Sequence, residues 1–191
     1  MRQFVYFSKS AATSGNFGDL MKAGRMDIAI HSFIQGIFLS HDFRKDVKFH
    51  FIFYGMPDPP KHIEIQIKDE LDISKKDVGN LIKKILYKYR EGKKTEVFPG
   101  CFVEKKSLLN IIEELREEGN EVFLLDGKGK DIREAKIPVD CVFILGDHDG
   151  IPQKEMKRLK KIANSVSVGP KTYFASQVVA VVNNELDRRG I

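Results

Sequence analysis

Cysteine is scarce in this sequence: Cys101 and Cys141 are its two thiols, with no Cys-x-x-Cys pair and no histidine cluster beside them. That argues against a disulfide framework and against the common zinc ligand sets, so no metal is expected. Cys141 lies in the apolar run Cys141-Val142-Phe143-Ile144-Leu145 and reads as a small core residue rather than a nucleophile. No apolar run approaches the roughly 20 residues needed to cross a bilayer. The opening Met1-Arg2-Gln3-Phe4-Val5-Tyr6-Phe7 reads as a strand rather than a secretory leader. These absences predict a cytoplasmic protein with no membrane partner. Internal repeats, low-complexity tracts and long linkers are also missing, so residues 1–191 are expected to form a single domain. There is no Walker motif, and Gly127-Lys128-Gly129 lacks the spacing of a dinucleotide fingerprint, which removes support for ATP and NAD.

What the sequence does have is material for a core, with 42% hydrophobic residues and 14 phenylalanines. Intrinsic disorder is thereby set aside. Its 32 basic and 27 acidic residues leave a net charge of +5. That excess suits an anionic partner, and it equally suits a solvated surface rich in lysine and glutamate.

Periodicity orders the chain. Residues 4–7 and 47–54 read as strands, the second ended by Met56-Pro57-Asp58-Pro59-Pro60. Residues 62–67 alternate Ile63, Ile65 and Ile67 with polar neighbours, as a half-exposed strand does. Helical spacing is seen over residues 26–39, 77–90 and 107–118, the last closed by Gly119. Then come a strand (121–125), a glycine loop (126–131), a strand (141–145), a loop (146–152) and a charged helix (153–162). A short strand (165–168), a loop and a last helix (174–189) complete the chain. Alternating strands and helices predict an α/β fold, a mainly parallel sheet with helices on both faces. Ligands of such sheets gather outside the carboxyl ends of the strands.

Three glycine-bearing loops follow strands in the last third: Leu125-Asp126-Gly127-Lys128-Gly129, Leu145-Gly146-Asp147-His148-Asp149-Gly150-Ile151-Pro152, and Val166-Ser167-Val168-Gly169-Pro170-Lys171-Thr172-Tyr173. Each can bring main-chain N–H and C=O groups close to a flat ligand. Asp147-His148-Asp149 is better read as a hydrogen-bonded turn than as a metal site, because consecutive side chains must diverge before they reconverge.

Taken in order, residues 143–152 and 167–175 resemble the second and third signatures of SPOUT RNA methyltransferases. With Asp19-Leu20-Met21-Lys22-Ala23-Gly24-Arg25-Met26-Asp27 and Leu39-Ser40-His41-Asp42-Phe43-Arg44-Lys45-Asp46, nearly the whole chain is similar to the archaeal tRNA pseudouridine N1-methyltransferase branch, which acts on the T-loop. The resemblance departs at Val178, where some relatives carry a cysteine.

The resemblance implies a C-terminal deep trefoil knot, which general topology rules would not suggest. It implies S-adenosylmethionine as cofactor, held mostly by main-chain groups around Leu125, Gly146, Ser167, Val168, Gly169 and Tyr173. It implies methylation of N1 of pseudouridine 54 in the T-arm of tRNA, and a homodimer. The last helix offers Val178, Val179, Val181 and Val182 for a dimer contact or for core packing. Asp19, Arg25 and Asp27 are the catalytic candidates: an aspartate to accept or orient the N1 proton, and Arg25 to bind a phosphate or a base carbonyl. Asp126 is a candidate to favour the cofactor's positive charge or to hold its turn. Arg44-Lys45, Lys83-Lys84 and Lys93-Lys94 are candidates for phosphate contact, whereas Lys157-Arg158 and Lys160-Lys161 read as a solvated helix face. A ribosomal RNA pseudouridine methyltransferase, a ribose 2′-O-methyltransferase and a non-enzymatic RNA-binding assembly factor of the same fold are the competing readings.

Overall fold

The computed structural model describes residues 1–68 and 73–191. Strand β1 (Arg2–Ser8) is buried along its whole length. Its side chains alternate between two sides: Phe4 and Tyr6 join one hydrophobic cluster, Val5 and Phe7 the other. Parallel to it run β2 (Val47–Phe53) and β7 (Cys141–Gly146), one on each side. Beyond β7 lie β6 (Glu121–Asp131) and β8 (Asn164–Ser167), also parallel. Beyond β2 lie β3 (Lys61–Ile65), β5 (Cys101–Glu104) and β4 (Thr95–Phe98), all added antiparallel. The order across the sheet is β4-β5-β3-β2-β1-β7-β6-β8.

The sheet is therefore mixed, where a mainly parallel one was expected. The reason is connection length. Parallel neighbours need a crossover of about a dozen residues or more, and neither the 54–60 connection nor Pro99-Gly100 provides one. The β4–β5 hairpin was not anticipated at all, because arms of four residues are too short to show a period.

Helices cover both faces. α1 (Met26–Ile37), α2 (Val78–Tyr87) and α5 (Ala175–Arg189) bury their apolar stripes in the cluster that holds Phe4 and Tyr6. On the opposite face, α3 (Leu108–Glu117) contributes Leu108, Ile111, Ile112 and Leu115, and α4 (Gln153–Leu159) contributes Leu159. Ser107 starts α3 by accepting the Asn110 N–H at 3.3 Å. Among the described residues no helix is long and apolar enough to cross a membrane.

β6 does not end where its apolar run does. Its pairing with β8 shifts register after Leu125, so that Val166 of β8 is partnered by both Leu125 and Lys130. The returning segment lies tightly on β8, since a Cβ on Gly129 would sit 2.5 Å from the Val166 nitrogen. Glycine is what permits that approach.

A buried polar chain crosses the sheet on the α3 side. Asn120 donates from Nδ2 to the Leu115 carbonyl at 2.8 Å, which leaves its Oδ1 to accept from Gln3 Nε2 at 3.0 Å. Gln3 Oε1 then accepts from His50 Nε2 at 2.9 Å, and His50 Nδ1 meets His62 Nε2 at 2.9 Å. His62 Nδ1 closes the chain on Glu104 Oε1 at 3.0 Å. The Gln3 orientation puts a proton on His50 Nε2. Burial, and then His62 beside it, hold its pKa well below the usual value. An unfolded histidine binds a proton near pH 6.5 that folded His50 refuses, so the stabilisation is complete above that pH and declines below it. The urea midpoint should fall between pH 7 and 5.5, with a limiting slope of about 1.4 kcal/mol per pH unit for this one group. A midpoint that stays level across that range would remove His50 from the account.

Candidate functional site

β7, β6 and β8 are adjacent and parallel, so their carboxyl ends open on the same side. There, the three glycine-bearing loops enclose one cleft. Its walls include Leu125, Gly146, Ser167, Val168, Gly169 and Tyr173, all six positions expected to hold a cofactor. Leu145, Ile151, Met156, Val166 and Val178 add apolar surface, and Asp126 and Asp147 bring acidic groups. Gly146 needs to be glycine for a simple reason. A Cβ there would lie 2.7 Å from the Gly150 carbonyl carbon, and the loop would have to move.

The loop after β7 is held from below. The Asp147 N–H donates to the Phe7 carbonyl at 3.0 Å. The Asp147 carboxylate, fully enclosed, accepts from Ser8 Oγ at 2.6 Å and from the Asp149 N–H at 2.9 Å. Asp147-His148-Asp149 is thus the hydrogen-bonded turn expected of it. Ser8 in turn accepts the Ala11 N–H at 3.0 Å, so one hydroxyl joins the cleft to the loop that leads towards α1.

Asp126 also sits at the cleft wall. It accepts the Lys128 N–H at 3.1 Å, and Lys160 Nζ lies 2.6 Å from its Oδ2. The Lys160 ammonium, more than burial or the backbone, sets the Asp126 pKa below the carboxylate norm. Lys160 is exposed, as a solvated helix face implies, and its ammonium pairs with Asp126 at the cleft wall.

Arg25 and Asp27 stand at the start of α1. Arg25 occupies the left-handed region, with φ 60°, which is uncommon for a residue with a side chain. Its Nε and one terminal nitrogen donate to the two Asp27 oxygens, each at 3.0 Å. The Arg25 guanidinium lowers the Asp27 pKa, and the same contact raises that of Arg25. Asp19 is exposed and holds a turn instead, accepting the Met21 and Lys22 N–H groups at 2.8 and 3.2 Å.

One expectation needs correction. Arg44 is not available to phosphate, because both its terminal nitrogens bind Asp187, at 2.7 and 2.6 Å. In α5, Val179 and Val182 are core residues and Val178 lines the cleft, which leaves Val181 partly exposed. Two residues were missed, Ser8 and Tyr6. Tyr6 is buried, its hydroxyl lies in the field of Asp147, Asp27 and Arg25, and among the described residues no hydrogen bond satisfies it.

An α/β sheet with a main-chain-lined cleft at the ends of three parallel strands defines a ligand-binding protein of the strand-end type. Comparison with known proteins gives the family. Residues 1–191 match the family model described as "Putative SAM-dependent RNA methyltransferase", and the chain belongs to that family. It is 36% identical to the "tRNA (pseudouridine(54)-N(1))-methyltransferase" of Methanococcoides burtonii, covering 98% of this chain and 96% of the relative. It is 33% identical to the protein of the same name from Pyrococcus abyssi, over 100% of both. Its fold is similar to that of Archaeoglobus fulgidus Nep1, solved bound to S-adenosylhomocysteine. The TM-score there is 0.65, with 14% identity, over 98% of each chain.

S-adenosylmethionine is thus the cofactor, and the cleft fits it. The apolar walls suit a flat adenine, the glycines leave main-chain groups within reach, and the acidic groups suit a sulfonium. Ser8→Ala should leave a buried charge short of a donor and lower stability by about 1.5–3 kcal/mol. Denaturant melts of both proteins read this directly, and an unchanged midpoint would show that the Ser8 contact holds nothing.

Proposed function

We propose that this chain is a tRNA (pseudouridine(54)-N(1))-methyltransferase, a single cytoplasmic domain that acts as a homodimer on the T-arm. The observation that carries the reading is the joint one: relatives of that name match along the whole length, and the six carried-over positions line one strand-end cleft. The doubled pairing of Val166 with Leu125 and Lys130 supports a trefoil knot, because the chain after β6 returns over β8 rather than leaving it at the sheet edge. Phe174 and Val181, exposed on the first turns of α5, support a two-fold contact there.

When bound, S-adenosylmethionine supplies the methyl group from a sulfonium, the C–S bond breaking with its electron pair kept on sulfur as the bond to N1 forms. The chain has two tasks: aligning N1 and taking up its proton. Alignment is the larger, on the order of 7–11 kcal/mol at best. The Leu125, Gly146 and Ser167 loops fix the cofactor, and Arg25 binds a phosphate or a base carbonyl of the RNA. Asp27 receives the N1 proton. Asp27 is favoured over Asp19 because the Asp19 carboxylate already holds the turn at Met21 and Lys22. While Arg25 is bound to it, Asp27 is a weak base. Drawing Arg25 onto the RNA restores its basicity at the moment a substrate is present.

The test is transfer of labelled methyl to two T-arm RNAs that differ only in uridine or pseudouridine at position 54. Label is expected on the pseudouridine RNA alone, and it should persist when the 2′-hydroxyl is blocked. Equal label on both RNAs would move the assignment to ribose methylation. Asp27→Ala and Arg25→Ala should each lower kcat/KM by about 10²–10⁴-fold, the usual weight of acid–base and charge-stabilising groups. Wild-type rates in both variants would place the chemistry elsewhere.

A further inference from the structure

β1 carries a polar group that the fold leaves unused. Tyr6 is wholly buried, at 0% exposure, and among the described residues its hydroxyl has no hydrogen-bond partner. Its ring accounts for the packing: it meets Phe51 edge-on at 6.1 Å and stands opposite Leu145 of β7 in the parallel ladder. A phenylalanine would pack the same way and avoid burying an unsatisfied hydroxyl, so stability gives no reason for tyrosine here.

Its surroundings give one. Tyr6 stands between the cleft and the start of α1: its ladder partner Leu145 lines the cleft, and it shares a hydrophobic cluster with Met26, the first residue of α1. Asp147 acts on it from the cleft side, and Asp27 and Arg25 act on it from α1. Burial first, and then the two carboxylates, keep the phenol protonated, so it is a donor and not a base. Asp147 already has both oxygens occupied, by Ser8 Oγ and the Asp149 N–H. Asp27 is different. Both its oxygens are bound by Arg25, whose side chain is 38% exposed and open to capture by RNA. Once Arg25 turns to the RNA, the Asp27 carboxylate loses both donors in one step.

We propose that Tyr6 is a positioning residue for methyl transfer, its hydroxyl donating to the Asp27 carboxylate when RNA engages Arg25. This rests on the methyl-transfer reading above. In the free chain the Asp27 carboxylate is turned onto Arg25, and among the described residues no acceptor meets the Tyr6 hydroxyl. In the RNA complex it fixes the orientation of the group that receives the N1 proton. The target RNA is then recognised in part by what it removes, the Arg25–Asp27 ion pair.

The test is Tyr6→Phe, which keeps the ring and removes one oxygen. Thermal stability should hold or rise, the Kd for S-adenosylmethionine should be unchanged, and KM for the pseudouridine T-arm RNA should stay within about twofold. kcat should fall by about 10- to 100-fold, the scale of a lost hydrogen bond to a charged group. In an Asp27→Ala background the same substitution should change nothing further, because its route is gone. A wild-type kcat in Tyr6→Phe, or a full further loss in the Asp27→Ala background, would overturn the role of Tyr6 alone. A drop in Tm would make the hydroxyl a fold contact and overturn it as well. No transfer by the unaltered protein to either RNA would overturn the methyl-transfer reading, and the role of Tyr6 with it.

Discussion

The parallel registration of β1 between β2 and β7 is the constraint on which the remaining structure depends. Every residue of β1 is buried, and alternate side chains feed two separate cores. A slip of one residue would send Phe4 and Tyr6 to the α3 side and Val5 and Phe7 to the α1 side, which neither core could accept. The register is thereby fixed, and it sets Phe7 opposite Gly146. From that pairing the site geometry follows. The Phe7 carbonyl takes the Asp147 N–H, and Ser8, the next residue, reaches the Asp147 carboxylate. The loop lining the cleft and the loop leading to α1 therefore start from one rigid point. Sites built on such elements keep their geometry better than sites carried by loops alone.

How much of this was legible in the sequence depends on the range over which each feature is determined. Long periodic segments are local, so β1, β2, α1, α3 and α5 were visible within a residue or two of their ends. Leu125, Gly146 and Ser167 to Tyr173 were legible as glycine-bearing loops after strands, and resemblance gave them an order. The β4–β5 hairpin was not legible, because its arms are short and its pairing with β3 is made by partners distant in the chain. Tyr6 reads as one more aromatic in an apolar run, and only the arrival of Asp147 and Asp27 from elsewhere gives its hydroxyl meaning. Arg44 failed as a sequence reading for the same reason: its partner, Asp187, lies far along the chain.

Charge is managed in pairs, at the site and at the opposite end of the strands. Asp126 has Lys160, Asp27 has Arg25 and Asp187 has Arg44. The pairs differ in where their strength comes from. Arg44 is nearly enclosed and makes two bonds to Asp187, with Arg2 adding a third at 2.9 Å, so that network pins α5 to the start of the chain. Arg25 and Asp27 are close neighbours in sequence, and the Arg25 side chain is partly open. A partly exposed pair is weak in water, because solvent and salt screen it. A backbone phosphodiester, with the same single charge and two oxygens to accept a bidentate pair, competes for a guanidinium in that position.

That difference bears on how proton transfer could be confined to the right moment. A carboxylate poised to accept the N1 proton at all times would also meet water and stray nucleotides. With Arg25 beside it, Asp27 is held below the ordinary carboxylate range, and burial of the acid works in the opposite direction. Removing the arginine takes away the largest cause of that lowering and leaves burial, which raises the pKa, to act on a more basic carboxylate. The switch needs no rearrangement of α1, because Arg25 precedes the helix as its cap residue and reaches Asp27 through side-chain torsions alone. On this reading, the strained backbone at Arg25 serves to aim a guanidinium that must leave its partner during every turnover.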